Sequence, residues 1–381
     1  MRKVYLDHAA TTPPDPRVLE AMLRLSGEAF GNPSSGHLFG RRARALVDEA
    51  AERVAAAIGA ARPEEIVFTS GGTEADNLAL RGVLETQPER ALLSSAADHA
   101  AVLDTADHLA ARGRRVLRLE VDRRGRVEPG RLDRALAECG PALVSLIWAN
   151  NELGSLQDMP ALAAVCRARG ALFHTDAVQA LGRLRVRVDE LPVDLLSGSA
   201  HKFNGPKGAG FLYVRRGTPL HPAITGGLQQ EGRRGGTENV PGVVGLGLAL
   251  ELAEATRVEH AARLRGLAAR LAARLAGLPG LLMLCDGQGD NLPGHFSLCL
   301  EEVEGEALLL SLDLDGIAVS SGSACHTGSI EPSHVLLAAG LNRRQAKGTI
   351  RLVLGKGIDE DDVDYAAERL IEHATRLRGT Q

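Results

Sequence analysis

Between residue 41 and about residue 255 the chain alternates two textures. RRARALVDEAAERVAAAIGA carries apolar positions at helical spacing. Short apolar runs of strand length follow: EIVFTS, ALLSSA, RVLRLEV, ALVSLIWAN, ALFHTDA, DLLSGSA and GFLYVRR. Helical stretches separate most of them, among them TEADNLALRGVLE, HAAVLDTADHLAARG and MPALAAVCRARG. That rhythm predicts an α/β domain around a largely parallel sheet of seven strands. A Gly/Pro loop too short for a helix joins the last two runs, so one antiparallel strand is expected there. Near residue 255 the texture changes to a long Ala/Leu/Arg helix, ATRVEHAARLRGLAARLAARLAGL. The strand-like runs LLMLCDG and HFSLCLEEV follow, then TIRLVLGKG and the closing helix IDEDDVDYAAERLIEHATRL. The expected division is a large domain over 15–255 and a smaller α+β domain built from 1–14 and 256–381. No tandem repeat or low-complexity tract interrupts the pattern.

Composition narrows the function classes. The chain has 381 residues, enough for a large core, with 44% hydrophobic and 24% charged residues, ordinary for a soluble globular protein. A formal charge of −4 offers no global basic field for nucleic acid. No apolar run approaches the roughly 18 residues of a membrane span. The opening MRKVYLDHAATTPPDP lacks a signal peptide's apolar stretch, so the expectation is a cytoplasmic protein.

The strand-like runs end in unusual polar clusters, and in parallel α/β sheets ligands bind beyond the strands' carboxyl ends. EIVFTS leads into Gly71, Gly72 and Thr73 before a helix, a pattern able to cradle a phosphate with backbone N–H groups. ALVSLIWAN ends in Asn150, Asn151 and Glu152; ALFHTDAVQA holds Asp176 and Gln179; DLLSGSAHK holds Ser199, His201 and Lys202. Each has a plain structural reading as well, Asp176 as a helix cap and His201 as a packed core histidine. Together they suit one ligand. A phosphate wants Gly72, Thr73, Ser199 and His201, an aldehyde wants a lysine, and a protonated pyridine nitrogen wants a carboxylate such as Asp176. Lysine is scarce here, five among 44 basic residues, and two of the five, Lys202 and Lys207, fall within SAHKFNGPKGAG. Arginine cannot replace lysine where an imine must form.

The cysteines are odd in number, Cys139, Cys166, Cys285, Cys299 and Cys325, and no CxxC occurs, which argues against a disulfide framework or a zinc site. The first four sit in helix-like or strand-like runs and read as small buried hydrophobes. Cys325 differs. It lies in SSGSACHTGSIEPSH, a small, polar stretch unfit for a core, and reactivity needs access.

The motifs resemble a known family nearly end to end. YLDHAATTPPDPRV, GNPSSGHLFG, EIVFTSGGTEADNLAL, NNELGSLQD, FHTDAVQALG, SGSAHKFNGPKGAGFLYVRR, RRGGTENVPGVVG and SSGSACHTGSIEPSHVL are similar to those of the cysteine desulfurases of the NifS/IscS group. These belong to the class V aminotransferase family of fold-type I pyridoxal-phosphate enzymes. The resemblance implies that fold, with pyridoxal 5′-phosphate as cofactor, L-cysteine as substrate, and sulfur passed to Cys325 as a persulfide with release of L-alanine. It implies that Lys202 binds the cofactor's aldehyde, that Asp176 pairs with the ring nitrogen, and that His99 stacks on the ring and shuttles protons. Gln179 and Asn151 orient the ring, while Gly72, Thr73, Ser199 and His201 hold the phosphate. Thr237, in GGTEN, reaches the phosphate of a partner subunit, which implies a homodimer. Arg351 binds the substrate carboxylate, and Asn32 and Asn151 lie near the substrate. No resident metal is implied; within the resemblance Cys325 is the one candidate for a transient iron–sulfur ligand.

Two departures stand out. Asp98 replaces the family's common Glu before the stacking histidine, and Lys347 replaces a common histidine. A class V aminotransferase or a selenocysteine lyase shares the Lys–Asp framework and stays open, as does a catalytically idle scaffold. The sulfur's destination also stays open between an iron–sulfur scaffold protein, tRNA thiolation and cofactor synthesis; neither nucleic acid nor membrane is an expected direct partner.

Overall fold

The computed structural model describes residues 2–321 and 331–379. All seven strand-like runs of the first part form strands of one sheet. Their order across it is Ile66–Thr69, Gly210–Val214, Leu195–Ser199, Leu172–Asp176, Ala142–Ile147, Ala91–Ser95, Val116–Leu119. Pairings among the last five are parallel. Gly210–Val214 runs antiparallel to both its neighbours, as the short loop before it requires.

Side-chain alternation explains why these strands read as unbroken apolar runs. Leu93, Val144, Leu196 and Phe211 enter a core on one face, against Val47, Val54 and Ile58 of the helix Leu38–Ile58. Their neighbours Leu92, Leu143, Leu195 and Leu212 enter a second core on the other face, against Leu80 and Leu84 of the helix Gly72–Thr86. Both faces are buried, so both registers must be apolar.

Four strands form a second sheet, in the order Ser320–Ser321, Thr349–Val353, His295–Leu300, Leu281–Asp286, with antiparallel pairings throughout. The chain's first strand, Val4–Tyr5, pairs in parallel with Ile317–Ala318 beside it. One helix of 36 residues, Val240–Leu275, serves both cores. Val243, Leu246 and Leu250 pack into the large sheet's core, and Leu264, Leu267 and Leu271 into that of the small sheet. The sequence pattern places this helix's start near residue 255, fifteen residues late. Glycines break the apolar rhythm of its first half. Gly245 is there for contact: a Cβ on it would lie 2.6 Å from Met22 Sδ of the helix Pro16–Glu28.

Candidate active site

The strand ends converge as the sequence suggests. Thr69 closes its strand, and the helix Gly72–Thr86 starts three residues later with Gly71 as an N-cap that offers no side-chain acceptor. The first-turn N–H groups are therefore left to a ligand or solvent, with the helix dipole behind them. The space facing them is kept clear by glycine, since a Cβ on Gly72 would lie 2.7 Å from Val178 Cγ2 and 3.6 Å from Ser199 Cβ. His201 sits opposite, its Nδ1 3.1 Å from Thr11 Oγ1. Burial and the neighbouring Lys202 push its pKa down to about 4, so the ring is neutral near pH 7.

Lys202 ends a short turn, Ala200–Lys202, directly after the strand Leu195–Ser199. Its Nζ donates to the carbonyls of Ala9 at 2.6 Å and Ala10 at 2.8 Å. The N-terminal segment is latched in place for this: Thr12 Oγ1 donates to the His201 carbonyl and accepts from Asn204 N–H, each at 2.8 Å. Asp176, at the end of Leu172–Asp176, is buried and accepts from Val178 N–H at 2.9 Å. Burial raises its pKa, and His99 and Lys202 oppose that rise. His99 caps the helix Ala100–Ala111; its Nδ1 accepts from Ala101 N–H at 3.1 Å, which leaves the ring proton on Nε2 in the neutral tautomer. Burial lowers the His99 pKa.

At the far side lies Arg351 of the strand Thr349–Val353, only 2% exposed. Its Nη1 donates to the Asn151 carbonyl at 2.9 Å, and its Nη2 pairs with Asp7 at 2.8 Å. These groups line one cavity of about 310 Å³, within the range of small-molecule sites. Gly72, Thr73, His99, Asn151, Asp176, Gln179, Ser199, His201, Lys202 and Arg351 all reach it. Thr237 does not; it is exposed, in a loop held by Arg234–Glu74 at 2.8 Å and Arg44–Glu238 at 2.7 Å. Asn32 is exposed as well, its side-chain oxygen accepting from Ser34 N–H at 2.9 Å. Cys325 lies outside the described residues. The other four cysteines are buried free thiols, with burial pushing Cys166 and Cys285 up to about 12.

The site also holds groups that the strand-end pattern does not mark. Asp7 engages Arg351, and Ala9 and Ala10 engage Lys202 through backbone oxygens. Asp76, in the second turn of Gly72–Thr86, lines the cavity with 1% exposure. Asp98 is fully buried, accepts from the N–H groups of Ser95 at 2.6 Å and Ile147 at 2.7 Å, and has its pKa raised by burial to about 7. It thereby fixes the turn that delivers His99. Glu152, which the strand-end pattern does mark, is not among the residues that line the cavity; it is buried, accepts from Ser333 Oγ, and is raised by burial to about 7.

The cavity suits pyridoxal phosphate on its own features. Asn151 Oδ1, Gln179 Oε1 and Arg351 Nε are buried without hydrogen-bond partners among the described residues, an arrangement that a polar ligand would satisfy. The glycine-cleared helix start offers donors for a phosphate, Asp176 an anion for a ring nitrogen, and Lys202 an amine for an aldehyde.

Comparison with known proteins agrees. The aminotransferase class-V family model matches residues 4–366. A relative described as cysteine desulfurase IscS, from Dictyoglomus turgidum, is 45% identical over 377 residues, covering 97% of this chain and 95% of that one. The putative cysteine desulfurase IscS 1 of Bacillus subtilis is 43% identical over 380 residues, covering 99% of this chain and all of that one. A solved NifS-like protein superposes with a TM-score of 0.91 at 37% identity, covering 98% of this chain and 100% of that one. The fold is thus that of the fold-type I pyridoxal-phosphate enzymes, and the chain belongs to the aminotransferase class-V family.

Proposed function

We infer that this protein is a pyridoxal-phosphate-dependent cysteine desulfurase that converts L-cysteine to L-alanine and passes the sulfur to Cys325. The observation that carries this reading is the convergence of Lys202, Asp176, His99 and Arg351 on one buried cavity. Relatives described as cysteine desulfurases match over almost the whole chain.

When bound, the cofactor supplies an electron sink for negative charge developing beside the substrate's amine. The chain's residues do the rest. Gly72, Thr73, Ser199 and His201 hold the phosphate end, and Gln179 and Asn151 orient the ring. Asp176, whose carboxylate accepts the Val178 N–H, would pair with the ring nitrogen. Lys202 would hold the aldehyde, and its Nζ, when not so engaged, would move protons at the substrate's α-carbon. His99 lines the same cavity and would serve as a second proton carrier. Arg351 receives the substrate carboxylate through Nε, the guanidinium nitrogen without a partner among the described residues. The transfer balances as cysteine plus a Cys325 thiol giving alanine plus a Cys325 persulfide. The carbon–sulfur bond breaks, a sulfur–sulfur bond forms, and the proton released from Cys325 is balanced by one gained at the β-carbon.

The protein in this reading is a homodimer, each subunit's Thr237 completing the phosphate site of the other. Support comes from Thr237 being exposed, away from its own cavity, in a loop braced by Arg234 and Glu238. The persulfide then passes to a sulfur-acceptor protein, such as an iron–sulfur scaffold. A single-turnover assay of alanine release with persulfide labelling tests the assignment. Cys325→Ser should keep cofactor binding and the spectral response to cysteine while losing persulfide. Alanine release at the parent rate by that variant, without added thiol, refutes Cys325 as acceptor. Amino-group transfer to a keto acid in place of alanine release would favour the aminotransferase reading.

A further inference from the structure

Two buried carboxylates, Asp76 and Asp176, line the same cavity, exposed by 1% and 4%. A ring nitrogen needs only one of them. Two carboxylates desolvated in one small site do not both ionise; one keeps a proton. The surroundings decide which. Asp176 accepts the Val178 N–H, and Lys202 shares the cavity with it, so charge is favoured there. Asp76 accepts no backbone N–H among the described residues; the Ser197 side chain hydrogen-bonds to it, a neutral hydroxyl that offsets its burial only in part, and its Oδ1 has no hydrogen-bond partner there. Behind it runs a neutral chain. His174 Nδ1 lies 2.8 Å from Ser145 Oγ, its Nε2 lies 2.9 Å from Ser197 Oγ, and that same Nε2 is 3.6 Å from Asp76 Oδ1. His174 is fully buried and held down to about 3, so it brings no positive charge to Asp76. The remaining charged neighbour, Asp98, is acidic and disfavours a further charge.

We propose that Asp76 is a positioning residue for the ring-nitrogen site: it stays protonated beside an ionised Asp176, so that the cavity presents a single negative charge to a cationic ring. The proposal rests on the pyridoxal-phosphate reading of the cavity. Ser197 and His174, the latter backed by Ser145, hold the neutral acid in place in the cavity wall that it shares with Asp176. Because the acid is neutral, its amide analogue should replace it.

The test uses parent, Asp76→Asn and Asp76→Ala proteins. Each apoprotein is titrated with pyridoxal phosphate for affinity, and each holoprotein's cofactor absorption band is followed across pH for its midpoint. Asp76→Asn keeps shape and neutrality; it should bind within about threefold of the parent and keep the midpoint within about 0.3 unit. Asp76→Ala leaves Ser197 and His174 without their neighbour and should bind about tenfold more weakly, the cost of one buried hydrogen-bonding group. If Asp76 were ionised, Asp76→Asn would delete a negative charge from the cavity that holds Lys202. At an effective dielectric near 20, that lowers the midpoint by about one unit or more. Such a shift overturns the proposal, and so does an Asp76→Ala protein that binds pyridoxal phosphate as tightly as the parent. If Asp76→Ala fails to fold by circular dichroism, the asparagine midpoint alone decides. A parent protein that gains no cofactor band refutes the underlying reading and the proposal with it, whereas the variants' results bear on Asp76 alone.

Discussion

Arg351→Lys isolates recognition of the substrate carboxylate from the rest of the site. In the parent, Nη1 is committed to the Asn151 carbonyl and Nη2 to Asp7, which leaves Nε. A carboxylate can therefore gain one charge-assisted hydrogen bond from Nε at once, and a second from the other N–H of Nη2. One such bond contributes about 1.5–3 kcal/mol, or roughly 10- to 150-fold in affinity. Lysine keeps a positive charge beside Asp7, so the half-buried carboxylate is not orphaned, but its point charge cannot serve Asp7, Asn151 and substrate together. The assay is the spectral Kd of the holoprotein for L-cysteine and for cysteamine, which has the amine and thiol but no carboxylate. L-Cysteine should weaken by roughly 10- to 150-fold and cysteamine by less than about threefold. Equal losses for both ligands would mean that the substitution merely distorts the cavity, and the carboxylate assignment falls.

Glu152→Gln should change the pH dependence of stability. The Glu152 carboxyl is raised from about 4.5 to about 7 by burial, so the native state holds a proton that the unfolded state has lost, and parent stability declines as pH rises through that window. Urea unfolding should find variant and parent similar at pH 4 and the variant more stable by about 2–3 kcal/mol at pH 8; equal stability at pH 8 refutes the assignment. Gly72→Ala places a Cβ 2.7 Å from Val178 Cγ2 and should weaken pyridoxal phosphate binding about tenfold, with Val178→Ala restoring part of it. No recovery in the double variant would mean that the glycine matters for another reason. Native alkylation near pH 7.5 should spare Cys166 and Cys285, buried thiols held near 12, until the protein is unfolded; peptide mapping that finds either labelled early counts against their burial.

What the sequence discloses here follows from which groups carry the work. The seven strands are legible because both sheet faces are buried, so Ala142–Ile147 and its neighbours are continuous apolar runs with few other readings. Lys202, Asp176 and Gly72 are legible because each sits at a strand end with a residue type that the chemistry requires. Asp76 is not legible. Within TEADNLAL it looks like an ordinary polar helix position, and only the helix's orientation over the strand ending in Asp176 turns it inward. Asp7, Ala9 and Ala10 are hidden for a different reason. Two of the three act through carbonyls, which every residue has, so no side-chain pattern marks them. Arg351 lies in a small-sheet strand remote in sequence from the polar clusters, and only the family resemblance singles it out.

That N-terminal segment couples the two ends of the site. Val4–Tyr5 is fixed to Ile317–Ala318 near the small sheet, and Asp7 then meets Arg351 and bridges to Val353. Ala9 and Ala10 meet Lys202, Ala9 also accepts from Gln179 at 2.9 Å, and Thr12 locks to His201 and Asn204. Four residues, 7–10, thus join the arginine assigned to the substrate carboxylate to the lysine assigned to the cofactor aldehyde. The arginine of the small sheet and the lysine of the large one thus lean on one short stretch of backbone that is latched to both.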